Sequence, residues 1–165
     1  MDKMENTISI QLNINGEAVT MQVAPHESLL RALRRYYYWD VKCGCEMGDC
    51  GTCTVLLDGI AVKSCVTLAA ACDGHEVWTN KGLGEHDSLT ARLQEAFVEC
   101  GSVQCGFCTP GMIVAGVSYL KHGGRADRGE IRKAITGNLC RCTGYVKIVD
   151  AIYKVADELE KEARA

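Results

Sequence analysis

Cys45-Glu46-Met47-Gly48-Asp49-Cys50-Gly51-Thr52-Cys53 is the stretch on which the reading of this chain turns. It spells C-x4-C-x2-C, and Cys65 completes a set of four after eleven further residues. Four thiolates, two to each iron, are what a [2Fe–2S] cluster takes, and this opening with a distant fourth cysteine is the plant-type ferredoxin spacing. A second set, Cys105, Cys108, Cys140 and Cys142, reads C-x2-C-x31-C-x-C. Eight of the eleven cysteines therefore fall into two ligand sets, and two redox centres in 165 residues make electron transfer the expectation.

Outward from the first loop, the pattern on both sides is that of a small sheet. Ile8, Ile10, Leu12 and Ile14 alternate, Asn15-Gly16 follows, and Val19, Met21 and Val23 alternate again, which predicts a hairpin on a favoured two-residue turn. Leu29, Leu30 and Leu33 lie at helical spacing after Pro25, with Ser28 or His26 near the start, and predict one short helix to about Tyr37. Thr54-Val55-Leu56-Leu57, Asp58-Gly59 and Ile60-Ala61-Val62 predict a second hairpin, and Glu76-Val77-Trp78 a closing strand. Gly82-Leu83-Gly84 reads as a linker.

Beyond it the periodicity is helical throughout. A first helix is expected from near Ser88 to before Gly101, and a second from a Thr109 cap with Pro110 at its first position to about Lys121. Asp127-x-x-Glu130 is a capping-box pattern for a third, ending by Gly137, and Ile148, Ile152, Val155 and Leu159 make the apolar stripe of a fourth. The second cysteine set falls in the connections. The division expected is residues 1–80 for the sheet and 81–165 for four helices.

Hydrophobic content of 47% with 24% charged residues describes a globular chain, and a net charge of −3 offers no basic footprint for nucleic acid. No run approaches the length of a membrane span. The charged Met1-Asp2-Lys3-Met4-Glu5 does not read as a signal peptide, and eleven cysteines without one argue against a secreted disulfide scaffold, so a cytoplasmic protein is expected.

Three segments together carry a resemblance: Cys45-x4-Cys50-Gly51-Thr52-Cys53-Thr54-Val55, then Gln104-Cys105-Gly106-Phe107-Cys108-Thr109-Pro110-Gly111, then Gly137-Asn138-Leu139-Cys140-Arg141-Cys142-Thr143-Gly144-Tyr145. In that order and at those intervals the chain resembles the small iron–sulfur subunit of the molybdenum hydroxylases, the xanthine dehydrogenase family. The resemblance implies an α+β chain: a β-grasp ferredoxin-like [2Fe–2S] domain followed by an all-α four-helix [2Fe–2S]-binding domain. It implies that Cys45, Cys50, Cys53 and Cys65 hold the cluster nearer a flavin, and that Cys105, Cys108, Cys140 and Cys142 hold the one nearer a molybdopterin. Gln104 and Cys142 match positions that approach the pterin by hydrogen bonding. Molybdopterin and FAD are expected on two partner chains, a large molybdopterin-binding subunit and an FAD-binding subunit, in a heterotrimer or a dimer of heterotrimers. No membrane and no nucleic acid partner is expected. The substrate of such a complex, whether purine, nicotinate or other N-heterocycle, aldehyde, carbon monoxide or aromatic acyl-CoA, is not written in this chain.

Plainer readings compete at each motif. Four thiolates also suit structural zinc, but the C-x-C pair is unusual there. A C-x-x-C dithiol needs a helix N-terminus in a βαβ setting that neither motif has. A free-standing two-cluster ferredoxin is the alternative function, against which Gln104 speaks. Cys72 and Cys100 read as small buried hydrophobes. His26, His75, His86 and His122 read as surface residues. Cys43, two positions before Cys45, and the run Tyr36-Tyr37-Tyr38-Trp39 depart from the family's usual pattern. The small residues Gly51, Thr52 and Gly106 are expected to let backbone amides reach sulfur.

Overall fold

The structure, a computed structural model, describes residues 6–165; the charged segment 1–5 lies outside the described residues. Strands β1 (Ile8–Ile14) and β2 (Glu17–Val23) form the expected hairpin, with Asn15 and Gly16 both at positive φ, 55° and 86°. That is the primed turn whose twist matches the strands. Ile10, Leu12, Ile14, Met21 and Val23 are buried, one face of the ribbon, as the alternation requires. Helix α1 (Leu29–Arg35) packs its leucines beneath it, capped by Ser28, whose Oγ accepts from the Arg31 N–H at 3.3 Å.

Strands β3 (Thr54–Leu57) and β4 (Ile60–Lys63) form the second hairpin about Asp58 and Gly59, again both at positive φ. β5 (Glu76–Trp78) runs parallel to β1 and antiparallel to β3, giving the sheet order β2-β1-β5-β3-β4. β3 reads as an unbroken apolar run because both of its faces are covered: Val55 enters the core over α1, and Leu56 enters the core of the helical half.

The segment 82–84 is no linker. It lies inside a short helix, α2 (Asn80–His86), so the second half has five helices and the chain passes from sheet to bundle without a free stretch. Asn15 sets this helix in place: its Oδ1 accepts from the Thr79 N–H at 2.8 Å, and its Nδ2 donates to Thr79 Oγ1 at 3.1 Å. A Cβ on Gly82 would lie 2.1 Å from Asn15 Cγ, so this glycine serves close approach rather than flexibility.

Helices α3 (Ser88–Glu99), α4 (Thr109–Lys121), α5 (Arg128–Ala134) and α6 (Val146–Glu162) are the four expected. Their facing sides bury Leu93, Phe97, Met112, Ile131, Ile148, Ile152 and Val155 in one core. Two details differ from expectation. The cap of α4 is Cys108, one residue earlier than Thr109, so Pro110 sits at the second helical position. The Asp127 capping box is half formed: Asp127 Oδ1 accepts from the Glu130 N–H at 2.8 Å, while Glu130 Oε2 accepts from the Tyr119 hydroxyl instead. No helix among the described residues is long and apolar enough to cross a membrane.

Candidate iron–sulfur centres

The first cysteine loop hangs between two anchors. Val41 and Cys53 are both buried in the core over α1, and Arg34 Nη1 donates to the Val41 carbonyl at 2.8 Å. Of the eleven residues between Cys53 and Cys65, ten (54–63) are the β3–β4 hairpin itself. Its register pairs Thr54 with Lys63, and Ser64 Oγ then donates to the Cys53 carbonyl at 2.7 Å, bringing Cys65 back beside Cys53. Cys45 and Cys50 approach each other across the loop.

The loop favours thiolate at Cys45 and opposes it at Cys65. The amide N–H groups of Cys50 and Met47 both donate to Cys45 Sγ at 3.4 Å, and its pKa is pulled down to about 6. Burial pushes Cys65 up to about 11, with the neighbouring Cys53 adding to the rise and the Gly48 amide opposing it. Cys43 is exposed, and its thiol is raised, by desolvation first and then by Glu46. Among the described residues no backbone amide donates to the Cys43 sulfur as two do to Cys45, which favours Cys45 as the ligand. Gly51 faces the Gly137 carbonyl and Asn138, and Gly106 faces Val103, rather than a sulfur. The glycine that sulfur demands is Gly44, where a Cβ would lie 2.7 Å from both Cys50 Sγ and Thr52 Oγ1.

The second set is assembled by helix ends. Cys108 caps α4, Cys105 lies three residues upstream, and the run through α4 and α5 returns the chain so that Cys140 meets Cys108. Cys142 Sγ and Cys105 Sγ stand 3.6 Å apart. Tyr145 closes the C-x-C loop: its hydroxyl accepts from the Cys140 N–H at 2.9 Å while its own backbone holds φ 68°, a left-handed conformation costly for a bulky residue. Despite its burial, Cys140 is drawn below the ordinary thiol value by the hydroxyl and amide of Thr143, at 3.1 and 3.5 Å from its sulfur. Cys108 is pushed up to about 12 by burial and by Cys140.

The thiols thus come in pairs, Cys45 with Cys50, Cys53 with Cys65, Cys105 with Cys142 and Cys108 with Cys140. Among the described residues no three His, Cys, Asp or Glu side chains converge on one metal position. Two pairs per set are the donors that two irons bridged by sulfide require, and the amide and hydroxyl hydrogens on Cys45 and Cys140 suit sulfurs carrying negative charge.

The two loops touch. The Leu139 N–H donates to the Cys50 carbonyl at 2.8 Å, and the buried Asn138 Nδ2 donates to the Gly51 carbonyl at 2.9 Å and to Thr54 Oγ1 at 3.2 Å. Side chains are excluded there: a Cβ on Gly51 would meet the Gly137 carbonyl at 2.3 Å, and one on Gly111 the Gly51 carbonyl at 2.4 Å. The sequence marked Gly137-Asn138-Leu139 as part of a motif but held no sign that it seals the junction between the two sets.

The remaining candidates separate cleanly. Gln104, Cys105 and Cys142 are exposed on one rim, with Val103, Phe107, Leu139 and Val146 exposed nearby. All four histidines are exposed, Cys72 is buried, and Cys100 is half-buried against the helical core. Of the aromatic run, Tyr36 and Tyr38 pack on the sheet core, and the Tyr36 hydroxyl accepts from the Gln22 N–H at 2.8 Å. Tyr37 and Trp39 are exposed and meet edge to face, with centroids 5.6 Å apart.

Comparison with known proteins agrees with this geometry. The 2Fe-2S iron-sulfur cluster binding domain family matches residues 12–78, and the [2Fe-2S] binding domain family matches residues 79–153. The nicotinate dehydrogenase small FeS subunit of Eubacterium barkeri is 44% identical over 148 residues, covering 89% of this chain and 94% of its own. This chain belongs to the small iron–sulfur subunits of the molybdenum hydroxylases. The xanthine dehydrogenase iron-sulfur-binding subunit of Escherichia coli O157:H7 is 43% identical over 88% of this chain and 92% of its own. Among solved structures, quinoline 2-oxidoreductase from Pseudomonas putida 86 has a chain that superposes with a TM-score of 0.86 at 40% identity, covering 94% of this chain and 97% of that one. As a member of that family the chain is an electron-transfer subunit of an oxidoreductase and carries two [2Fe–2S] clusters.

Proposed function

We propose that Cys45, Cys50, Cys53 and Cys65 hold one [2Fe–2S] cluster and that Cys105, Cys108, Cys140 and Cys142 hold the other. Residues 1–80 and 81–165 are then the two cluster-bearing units. When bound, each cluster accepts and releases a single electron with little rearrangement, so the chain passes electrons from a molybdopterin on a large subunit toward FAD on another. The observation that carries this reading is the backbone contact between the loops, in which the Leu139 N–H meets the Cys50 carbonyl at 2.8 Å. It joins a ligand of the first set to the neighbour of a ligand of the second through a few covalent bonds and one hydrogen bond.

The chain's own residues divide the labour. Amides of Met47 and Cys50 and the hydroxyl of Thr143 hold charge on sulfur, and buried Cys53 and half-buried Cys108 turn one side of each centre away from water. Gln104 and Cys142, exposed beside Phe107 and Leu139, form the rim that meets the molybdopterin subunit, where the Gln104 amide has a free donor and acceptor for the pterin. The assembly is a heterotrimer, or a dimer of heterotrimers, in the cytoplasm. The relatives named for nicotinate, xanthine and quinoline all act on nitrogen heterocycles, and that is the substrate class we assign to the complex.

Anaerobic isolation of the complex, followed by reduction and EPR, tests the reading. Two distinct [2Fe–2S] signals are expected, and Cys108→Ser should remove one while leaving the other. Loss of both signals would contradict two separate sites. Recovery of this chain alone, still carrying iron, would instead favour a free-standing electron carrier and withdraw the role of Gln104.

A further inference from the structure

Lys63 stands where the two cysteine loops approach each other. It ends β4, two residues before Cys65, and its ammonium donates to the Gly48 carbonyl of the first loop. The amide of the same Gly48 favours the Cys65 thiolate. On its other side the Lys63 stem rests against Gly137, three residues before Cys140. A Cβ there would come within 3.3 Å of Lys63 Cε and 3.4 Å of Nζ. Lys63 is half-buried, and among the described residues no carboxylate lies at ion-pair distance from it. Lys121, Lys154 and Lys161, by contrast, each face one. A half-buried cation is thus held between two sites that each gather four cysteines.

We propose that Lys63 is a fixed positive charge that makes the first cluster easier to reduce, and to a smaller degree the second. The inference rests on the assignment of the eight cysteines given above. A [2Fe–2S] cluster with four thiolates carries a formal charge of about −2 when oxidised and gains one more negative charge on reduction. A nearby cation therefore stabilises the reduced form more than the oxidised one, and half-burial weakens screening by salt. Lys63 exchanges neither proton nor electron. It biases the one-electron exchange between the two centres toward the one whose loop accepts its hydrogen bond, and its role is electrostatic only.

The test is an EPR-monitored redox titration of the intact complex carrying Lys63→Met, Lys63→Gln or Lys63→Arg. At the potential that half-reduces the wild-type first centre, the two neutral variants should lower its reduced-to-oxidised ratio about tenfold, which is about 59 mV for a one-electron couple. The second centre should move less, Lys63→Arg should stay near wild type, and the g-values of both signals should be unchanged. Unmoved potentials in the neutral variants, with both signals present, would overturn the proposal. So would altered g-values shared by all three variants, because Lys63 would then only brace the loop. If the wild-type complex itself lacked two [2Fe–2S] signals, the cysteine assignment would fail first, and that outcome is visible before any variant is made.

Discussion

Among the cysteines, Cys45 and Cys108 lie at opposite ends of the thiol range. Two amides pull Cys45 down to about 6, while burial and the neighbouring Cys140 push Cys108 up to about 12. A lowered pKa means the thiolate prevails above about 6 and is lost as pH falls through that value. A raised one means Cys108 remains a thiol throughout the neutral range. In metal-free protein at pH 7, iodoacetamide should therefore label Cys45 early and Cys108 last, and lowering the pH to about 5 should slow labelling of Cys45. Peptide mapping over a time course checks this; the exposed Cys43 reacting well before Cys45 would contradict it. The two groups of four cysteines were legible because spacing alone carries them, and the fold brings their thiols together in pairs. Which atoms serve each sulfur was not. Gly51 and Gly106 looked like openings for amides, yet the donors on Cys45 come from Met47 and Cys50, because the turn of the loop and not residue size decides which N–H points inward.

The strands and the longer helices follow from local pattern. β1 and β2 alternate about a primed turn, and α6 carries its buried stripe at helical spacing, so each was visible in a short window. α2 was invisible for the opposite reason. Its seven residues contain two glycines, and its start is fixed by distant side chains, Asn15 on the capping Thr79, 64 positions later, and Asp40 Oδ2 accepting from the Lys81 N–H at 2.9 Å. Gly82→Ala separates the two influences by sign. Helix propensity alone would stabilise the protein by about 1 kcal/mol. A Cβ placed 2.1 Å from Asn15 Cγ should instead destabilise it by about 1–3 kcal/mol and lower Tm. Thermal unfolding of the variant decides between them, and a raised Tm would mean that Asn15 moves aside without penalty.

Across the whole molecule, sheet and bundle share Leu56 in the helical core and Asn15 on Thr79, and at the cysteine loops they are joined by backbone and one buried amide. Asn138 serves Gly51 and Thr54 at once, and Leu139 bonds to Cys50, so the junction of the two halves is also the junction of the two cysteine sets. Asn138→Ala should cost about 1–3 kcal/mol, because the Gly51 carbonyl and the Thr54 hydroxyl lose their shared partner. It should also speed hydrogen exchange at the Leu139 amide. Unchanged protection there would show that the backbone contact stands without Asn138. This layer was the least legible in the sequence: a motif can be recognised from neighbours in the chain, but a carbonyl 87 residues away cannot. The same junction bears on how the protein is handled. A protease hunting for slack chain finds a packed helix at 80–86, and a cut made there by design would strip Leu56 of its cover and leave α2 without Asn15. Two sticky fragments, rather than a pair of miniature carriers, are what such a cut should yield.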